Sequence, residues 1–389
     1  MQKKVSIILI HYNQPEYVEI ALDSIFKQTY KNIELVFADD GSKQIDLKHL
    51  KDFCSSHNKN KIDIIWQINK KNMGTVKNVN SAVKKSSGDY ILIFAADDKL
   101  YDNKVIEKFV KSFEKAKEKD VAMIFGQCFM MDKELKKLKY KFIEDEEGYK
   151  FSKLNVFDQY KYLTTSCLIA MGACMLDASI LKKEGLFDES YKYIEDWSEF
   201  IILTRKGYRA IYNGNINALL HRDGGISHSE ADEGIPAHIL GFRYDIIKII
   251  TNEVFPFFKK FNYIEKCKIM DKFYGDIAAL KQIGGKPNKK IIMKFKLKNF
   301  WFFLRRRLDI VHDTYNYNKN ILENIICKLC IFAIASINIK GFLSKKFHLF
   351  FDIVIYIIIL LLAIELINLL FKSLIYFAYE LKKKIKGWR

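Results

Sequence analysis

Proline and glycine are scarce, with 4 and 18 among 389 residues. That scarcity excludes a collagen-like repeat, a Pro-rich linker protein and a disordered chain. Cysteine is sparse as well: 7 residues at irregular spacings, an odd number. Such a set excludes a secreted disulfide framework and points to a reducing compartment. A single C-x-x-C, Cys327 to Cys330, lies in the apolar run IICKLCIFAIA with no second pair nearby. It reads as a buried helix face rather than a zinc site. No secretory leader is expected either. The apolar run Val5–Ile10 is followed at once by the polar HYNQPE, whereas a secretory core is longer, so the N-terminal body is expected to stay in the cytoplasm. Acidic residues are outnumbered, 46 against 64 Lys+Arg, for a formal charge of +18. The excess fits an anionic partner: nucleic acid, an anionic membrane surface or a phosphorylated substrate.

What is present is apolar and aromatic. Hydrophobic residues make up 49% of the chain and aromatics 14%, enough for a large core. Residues 1–125 alternate short β-branched runs with amphipathic stretches. VSIILI, IELVFAD, IDIIWQI and DYILIFA read as strands, and Tyr17–Gln28 and Asn78–Lys85 as helices. Strands alternating with helices predict an α/β fold with a mainly parallel, Rossmann-like sheet, whose ligands bind beyond the carboxyl ends of the strands. Residues 126–235 mix apolar runs with acidic and aromatic clusters and are expected to form the second half of the same domain. Residues 236–346 read as a helical basic region, and 347–389 as an apolar helix with a basic tail.

Each of the four strands ends in a polar cluster: His11-Tyr12-Asn13, Asp39-Asp40-Gly41-Ser42, Asn72-Met73-Gly74 leading into Lys77-Asn78, and Asp97-Asp98. A carboxylate can accept a base N–H, a tyrosine can cover a base, a lysine suits phosphate, and an aspartate pair suits a divalent cation on a diphosphate. Taken singly, such clusters are ordinary turn punctuation. Together they describe a nucleoside-diphosphate site, with Tyr12, Asn13, Asp40, Lys77 and Asp97 as its candidate contacts.

The opening VSIILIHYNQPEYVEIALDSIFKQTYKNIELVFADDGS resembles that of family 2 glycosyltransferases of the GT-A fold. NMGTVKNVNSAVKKSSGDYILIFAADD resembles the family block that leads to the metal-binding DxD-type motif. The resemblance implies that Asp40 contacts uracil or an equivalent base, that Tyr12 lines the base pocket, and that Asp97 and Asp98 are a short DD version of the motif. Asp98 would then ligate Mn2+ or Mg2+. Ile10 stands where some relatives have a small polar residue. In LFDESYKYIEDWSEF, the pair Glu195-Asp196 matches the family's carboxylates at a helix start, which implies that Asp196 is the catalytic base. A carboxylate within hydrogen-bond reach can take the proton of the attacking acceptor hydroxyl. No covalent nucleophile is required, so inversion is expected. Exposure to the acceptor pocket and a nearby metal should keep Asp196 ionised at neutral pH. The bland alternative makes both carboxylates helix-dipole partners. Trp197 adjoins the pair, and Met171–Met175 is expected as a small-residue strand near the acceptor. His221 and Arg222 resemble a family segment with the order of the two residues exchanged, which leaves open which of them faces the diphosphate. The Q-x-x-R-W of processive synthases does not occur in the sequence, which favours transfer of one or a few sugars.

Toward the C-terminus, KKIIMKFKLKNFWFFLRRRL interleaves cations with bulky apolar residues, as on a helix lying on an anionic membrane. FDIVIYIIILLLAIELINLLFKSLIYFAY, residues 351–379, is long enough to span a bilayer but is interrupted by Asp352, Glu365, Asn368 and Lys372. A span, an interfacial or oligomerising helix (a homo-oligomer being one outcome) and a soluble core helix all remain open. The tail favours a membrane over nucleic acid as the basic region's partner. The expectation is a nucleotide-sugar donor, UDP-linked, and a glycan or lipid-linked glycan acceptor, with the enzyme at the cytoplasmic face of the cell membrane in surface polysaccharide biosynthesis. Two rivals are a sugar nucleotidyltransferase, which needs no Glu-Asp base, and a membrane assembly protein with an inactive enzyme domain.

Overall fold

A computed structural model describes residues 2–116, 120–223 and 237–306. The first half runs β1 (Val5–His11), α1 (Val18–Phe26), β2 (Ile33–Asp39), α2 (Leu47–His57), β3 (Asp63–Ile68), α3 (Thr75–Lys85) and β4 (Tyr90–Ala95). Strands β1, β2 and β4 are apolar along nearly their whole length because helices cover both faces of a parallel sheet. β1 pairs in parallel with β2 and with β4, and β2 with β3. His11 falls level with Asp39, so both strands end on the same edge.

Beyond β4 come β5 (Lys99–Leu100), α4 (Val105–Lys115), β6 (Val121–Met131), β7 (Leu138–Lys141), α5 (Asp145–Lys153), α6 (Val156–Leu163), β8 (Cys174–Asp177), α7 (Ala178–Glu184), α8 (Asp196–Arg205) and β9 (Arg209–Arg222). The nine strands form one sheet in the order β3-β2-β1-β4-β8-β6-β9-β5, with β7 on β6. Here the expectation of a mainly parallel sheet needs correction. In the second half β8 runs antiparallel to both β4 and β6, β7 antiparallel to β6 and β5 antiparallel to β9, and among these pairings only β6 with β9 is parallel. The sheet is mixed because β5, β7 and β8, of two to four residues, run antiparallel to the longer strands they pair with. Met171–Ala173 is likewise a 3-10 turn, and the strand begins only at Cys174.

A helical segment follows: α9 (Ala237–Ile249), a π turn at Ile250–Val254, a 3-10 turn at Phe255–Lys260 that carries Pro256, and α10 (Tyr263–Gln282). α10 starts on a capping box between Asn262 and Glu265. Its predecessor is tied to the sheet domain by buried polar contacts. Arg205 Nη2 lies 2.7 Å from Glu253 Oε2, and the Tyr160 hydroxyl donates to the Glu253 carbonyl at 2.9 Å. Met1–Asn288 is therefore one compact unit, and the compositional boundary at 235 falls inside it. Lys289–Arg389 is a second unit. Its described part is α11 (Lys289–Lys298), continuing helical to Arg306. Among the described residues, no helix is long and apolar enough to cross a membrane. Residues 351–379, the basic tail and the Cys327–Cys330 pair lie outside the described residues.

Candidate active site

The carboxyl ends of β1, β2 and β4 open into a cavity of about 940 Å³. Two of the glycines around it are there for backbone reasons. Gly41 has φ +76°, and a Cβ on it would stand 2.4 Å from the Lys71 carbonyl carbon. Gly74 has φ +89° and directs its N–H at Asp40, 2.9 Å away. Asp40 also accepts from Met73 N–H at 2.8 Å and from Asn69 Nδ2 at 3.0 Å. Its carboxylate thus holds the loop between β3 and α3 against the end of β2 and still faces the cavity. The adjacent Asp39 points the other way, as alternation along a strand requires. It is fully buried, 2.8 Å from His11 Nδ1. Burial pushes its carboxyl up, but His11 and the Ser42 hydroxyl and N–H outweigh that and hold it below the usual range.

β5 has only two residues, yet it fixes the next group. Lys99 pairs with Leu220 in antiparallel register, which sets Asp98 beside His221. Asp98 Oδ2 lies 2.9 Å from His221 Nδ1, and Asp98 Oδ1 accepts from Arg222 N–H at 2.9 Å. Asp97 Oδ2 accepts from Arg222 Nη2 and from Gln14 Nε2, each at 2.9 Å. The Arg222 guanidinium lies 4.1 Å from the centre of the Tyr17 ring. Asp97 thus has a guanidinium partner and Asp98 an imidazole. Complete burial pushes Asp98 up against the pull of His221, and Asp98 in turn raises His221 despite the burial of the imidazole. His221 lines the cavity, whereas Arg222 lies behind it on Asp97.

Among the described residues, no group of three or more His, Cys, Asp or Glu side chains is arranged to hold a metal ion. Asp98 and His221 are residue types that ligate divalent cations, and here they are hydrogen-bonded to each other at 2.9 Å.

The cavity's other end belongs to the segment that leads into α8. Glu195, Asp196 and Trp197 line it together with Tyr193. Asp245 on α9 accepts from the N–H groups of Lys192 and Tyr193 at 2.8 and 2.7 Å, fixing the approach to the pair. Trp197 Nε1 donates to the Leu163 carbonyl at 2.7 Å, which pins its ring. Both residues are half-buried and open to the cavity, as expected for Asp196, yet the protein packed around their carboxyls raises both of them. In Glu195 the charge of Asp196 adds to it; in Asp196 the N–H of Trp197 opposes it. The two carboxyls therefore titrate as a pair.

Tyr12, Asp40, Asp97, Asp98, Glu195, Asp196, Trp197 and His221 therefore share one cavity. Asn13 and Lys77 are not among the residues that line it. Asn13 is exposed with φ +53°, and its side chain accepts from Lys43 N–H. Lys77 lies on the exposed face of α3. Gln14, Asn78, His238 and Lys272 also line the cavity. Gln14 and Lys272 carry no signal in the sequence, because their neighbours come from distant elements.

Residues 6–184 match the family described as Glycosyl transferase family 2. A protein of Rickettsia typhi named an uncharacterized glycosyltransferase is 32% identical over 202 residues, which is 51% of this chain and 58% of the relative. Glycosyltransferase GlyG of Streptococcus pneumoniae is 30% identical over 132 residues, 34% of this chain and 41% of the relative. The chain thus spans little more than half the length of the first of these and less of the second. Among solved structures, Staphylococcus aureus TarS 1–349 aligns with a TM-score of 0.46 at 17% identity, covering 70% of this chain and 71% of TarS. The mannosyltransferase PcManGT of Pyrobaculum calidifontis aligns with a TM-score of 0.45 at 13% identity, covering 77% and 81%. Residues 6–184 match the glycosyl transferase family 2 model, and the relatives that the chain matches are named glycosyltransferases.

Proposed function

We propose that the chain transfers a sugar from a nucleotide-sugar, UDP-linked, to a glycan acceptor with inversion at the anomeric carbon. The observation that carries this reading is the meeting of Asp40, the Asp97-Asp98 turn and the Glu195-Asp196 pair in one cavity. Tyr12 and Asp40 at the strand ends suit the base, and Asp98 with His221 suits a divalent cation, Mn2+ or Mg2+. When bound, that cation supplies charge stabilisation for the departing diphosphate. Asp196, at the other end, takes the proton of the acceptor hydroxyl as it attacks. Glu195 holds the pair's remaining proton and leaves the negative charge to Asp196. A sugar nucleotidyltransferase would have no use for a carboxylate pair at that end.

The acceptor in this reading is a lipid-linked glycan, extended by one or a few sugars at the cytoplasmic face of the membrane in surface polysaccharide assembly. The support is the basic helix α11 and its continuation, which expose Met293, Leu297 and Trp301 at helical spacing among lysines. The decisive experiment is a screen of UDP-, GDP- and dTDP-sugars for binding and hydrolysis, with and without manganese. Selective, manganese-dependent hydrolysis of a UDP-sugar is the expected result. Formation of a UDP-sugar from UTP and a sugar 1-phosphate would instead establish the nucleotidyltransferase.

Asp40→Ala should weaken UDP binding by about 1–3 kcal/mol in calorimetry, the range for a bond to a charged group plus the unpaired donors left behind. Those donors are the N–H groups of Met73 and Gly74, so the loop that borders the cavity should loosen as well. An unchanged dissociation constant for UDP would remove Asp40 from the base pocket.

A further inference from the structure

The end of the cavity that holds Glu195 and Asp196 is closed by residues beyond the family match, which stops at residue 184. One of them is a lysine. Lys272 projects from α10 into the cavity wall, with its ammonium 5.1 Å from the centre of the Trp197 ring. That ring is itself pinned by its bond to Leu163, so the lysine is held over a fixed aromatic face. Among the described residues its one ion pair is with Asp276, an i,i+4 neighbour, at 3.5 Å. Charge-assisted bonds of this kind are normally about 2.7–2.9 Å long, so this pair leaves most of the ammonium's capacity unused. An ammonium has three donors, and among the described residues no ion pair joins Lys272 to Glu195 or Asp196, although all three line the same cavity. The side chain is 29% exposed, partly stripped of water and open toward the cavity.

We infer that Lys272 is a binding residue for an anionic group on the acceptor, a phosphate, placed so that the neighbouring hydroxyl meets the Glu195-Asp196 pair. The inference rests on the reading of this end as the acceptor side. A cation there answers a specific physical problem. The cavity wall carries five carboxylates, Asp40, Asp97, Asp98, Glu195 and Asp196, and an anionic acceptor approaching them without a counter-charge would be repelled. A lysine backed by an indole offers a charge that need not be pulled from a strong existing partner. Two sources share this chemistry: a phosphate within a glycan and the phosphate of a lipid carrier.

The test is calorimetry on the full chain with UDP and Mg2+ saturating, so that the strand-end half is filled. Glycerol 3-phosphate and glycerol form one pair of probes; farnesyl phosphate and farnesol, in neutral detergent, form the other. Wild type should bind the phosphate member of at least one pair about tenfold or more tightly than its neutral counterpart, the worth of a charged hydrogen bond. Lys272→Met should abolish that preference and Lys272→Arg should retain most of it. Lys268→Met, which removes an exposed charge from the same helix, should leave it unchanged. The pair that responds identifies the source as glycan or lipid. A wild type that does not prefer phosphate, or a Lys272→Met variant that keeps the preference, overturns the inference. If UDP fails to bind wild type, the donor reading falls instead, and the phosphate preference is then read without UDP.

Discussion

Asp196→Asn should lower sugar transfer by roughly two to four orders of magnitude, the usual worth of a positioned base, while UDP binding stays close to that of wild type. The amide keeps the size of the carboxyl and can still accept from Trp197 N–H, now 2.6 Å from Asp196 Oδ1, so the start of α8 should survive. What disappears is basicity. The pH dependence supplies an independent check, and its sign follows from burial. A carboxylate base works when deprotonated, so activity is present above its pKa and is lost as pH falls through it. Burial raises Asp196, so the acidic limb of kcat/KM should lie above the ordinary carboxylate range of about 4. Glu195 is pushed up to about 8, by burial and then by the charge of Asp196. Glu195→Gln should therefore leave this limb near its wild-type position, because Glu195 is still protonated where Asp196 titrates, whereas Asp196→Asn should remove the limb together with the activity. Near-normal turnover of the Asn variant at saturating donor and acceptor, or a product that keeps the donor's anomeric configuration, would assign the chemistry to another group.

The parts of this site that were legible in the sequence are those set by local periodicity. VSIILI, IELVFAD and DYILIFA declare themselves as buried strands, and a parallel sheet obliges their following residues to share an edge. That is enough to bring Tyr12, Asp40, Asp97 and Asp98 together. The helix start at Glu195-Asp196 is legible for the same reason, since α8 follows it directly. Contacts that depend on long-range register are not legible. His221 reaches Asp98 only because a two-residue strand pairs with the end of β9, and no local pattern announces a pairing that short. The mixed character of the sheet escapes for a similar reason: β8 is four residues long and is entered through a 3-10 turn. Lys77 shows the limit of spacing arguments. It follows the loop at the end of β3 as a phosphate-binding lysine would, but the helical turn places it on the outer face of α3. Composition misleads most in 237–288. Its positive charge suggests a region apart from the sheet domain, yet α9 and α10 supply His238 and Lys272 to the cavity wall, and Asp245 anchors the segment that leads to Glu195 and Asp196.

Asp98→Asn should abolish the metal-dependent part of UDP binding, raising the dissociation constant in the presence of Mn2+ by roughly tenfold to a hundredfold, the scale on which metal-site substitutions act. The asparagine is the informative choice because Asp98 also has structural duties. Its Oδ1 accepts from Arg222 N–H, and its Oδ2 faces His221. Alanine would leave that buried N–H unpaired at the end of β9, at a cost of about 1–3 kcal/mol, and would confuse unfolding with loss of the metal. Asparagine can still accept from Arg222 and can donate to a neutral His221, so the β5–β9 pairing should persist. Only the negative charge is removed, and a hard divalent cation needs that charge. Two readouts separate the outcomes. Binding of Mn2+ in the presence of UDP, followed by the loss of the free ion's paramagnetic resonance signal, should fall in step with UDP affinity. The thermal unfolding midpoint should stay near that of wild type. UDP binding that resists EDTA and is unchanged in Asp98→Asn would mean that Asp97 and Asp98 serve the fold alone, with Arg222 as the diphosphate's natural counter-charge once released from Asp97. In that event Arg222→Gln, rather than Asp98→Asn, would be the substitution that loses the donor.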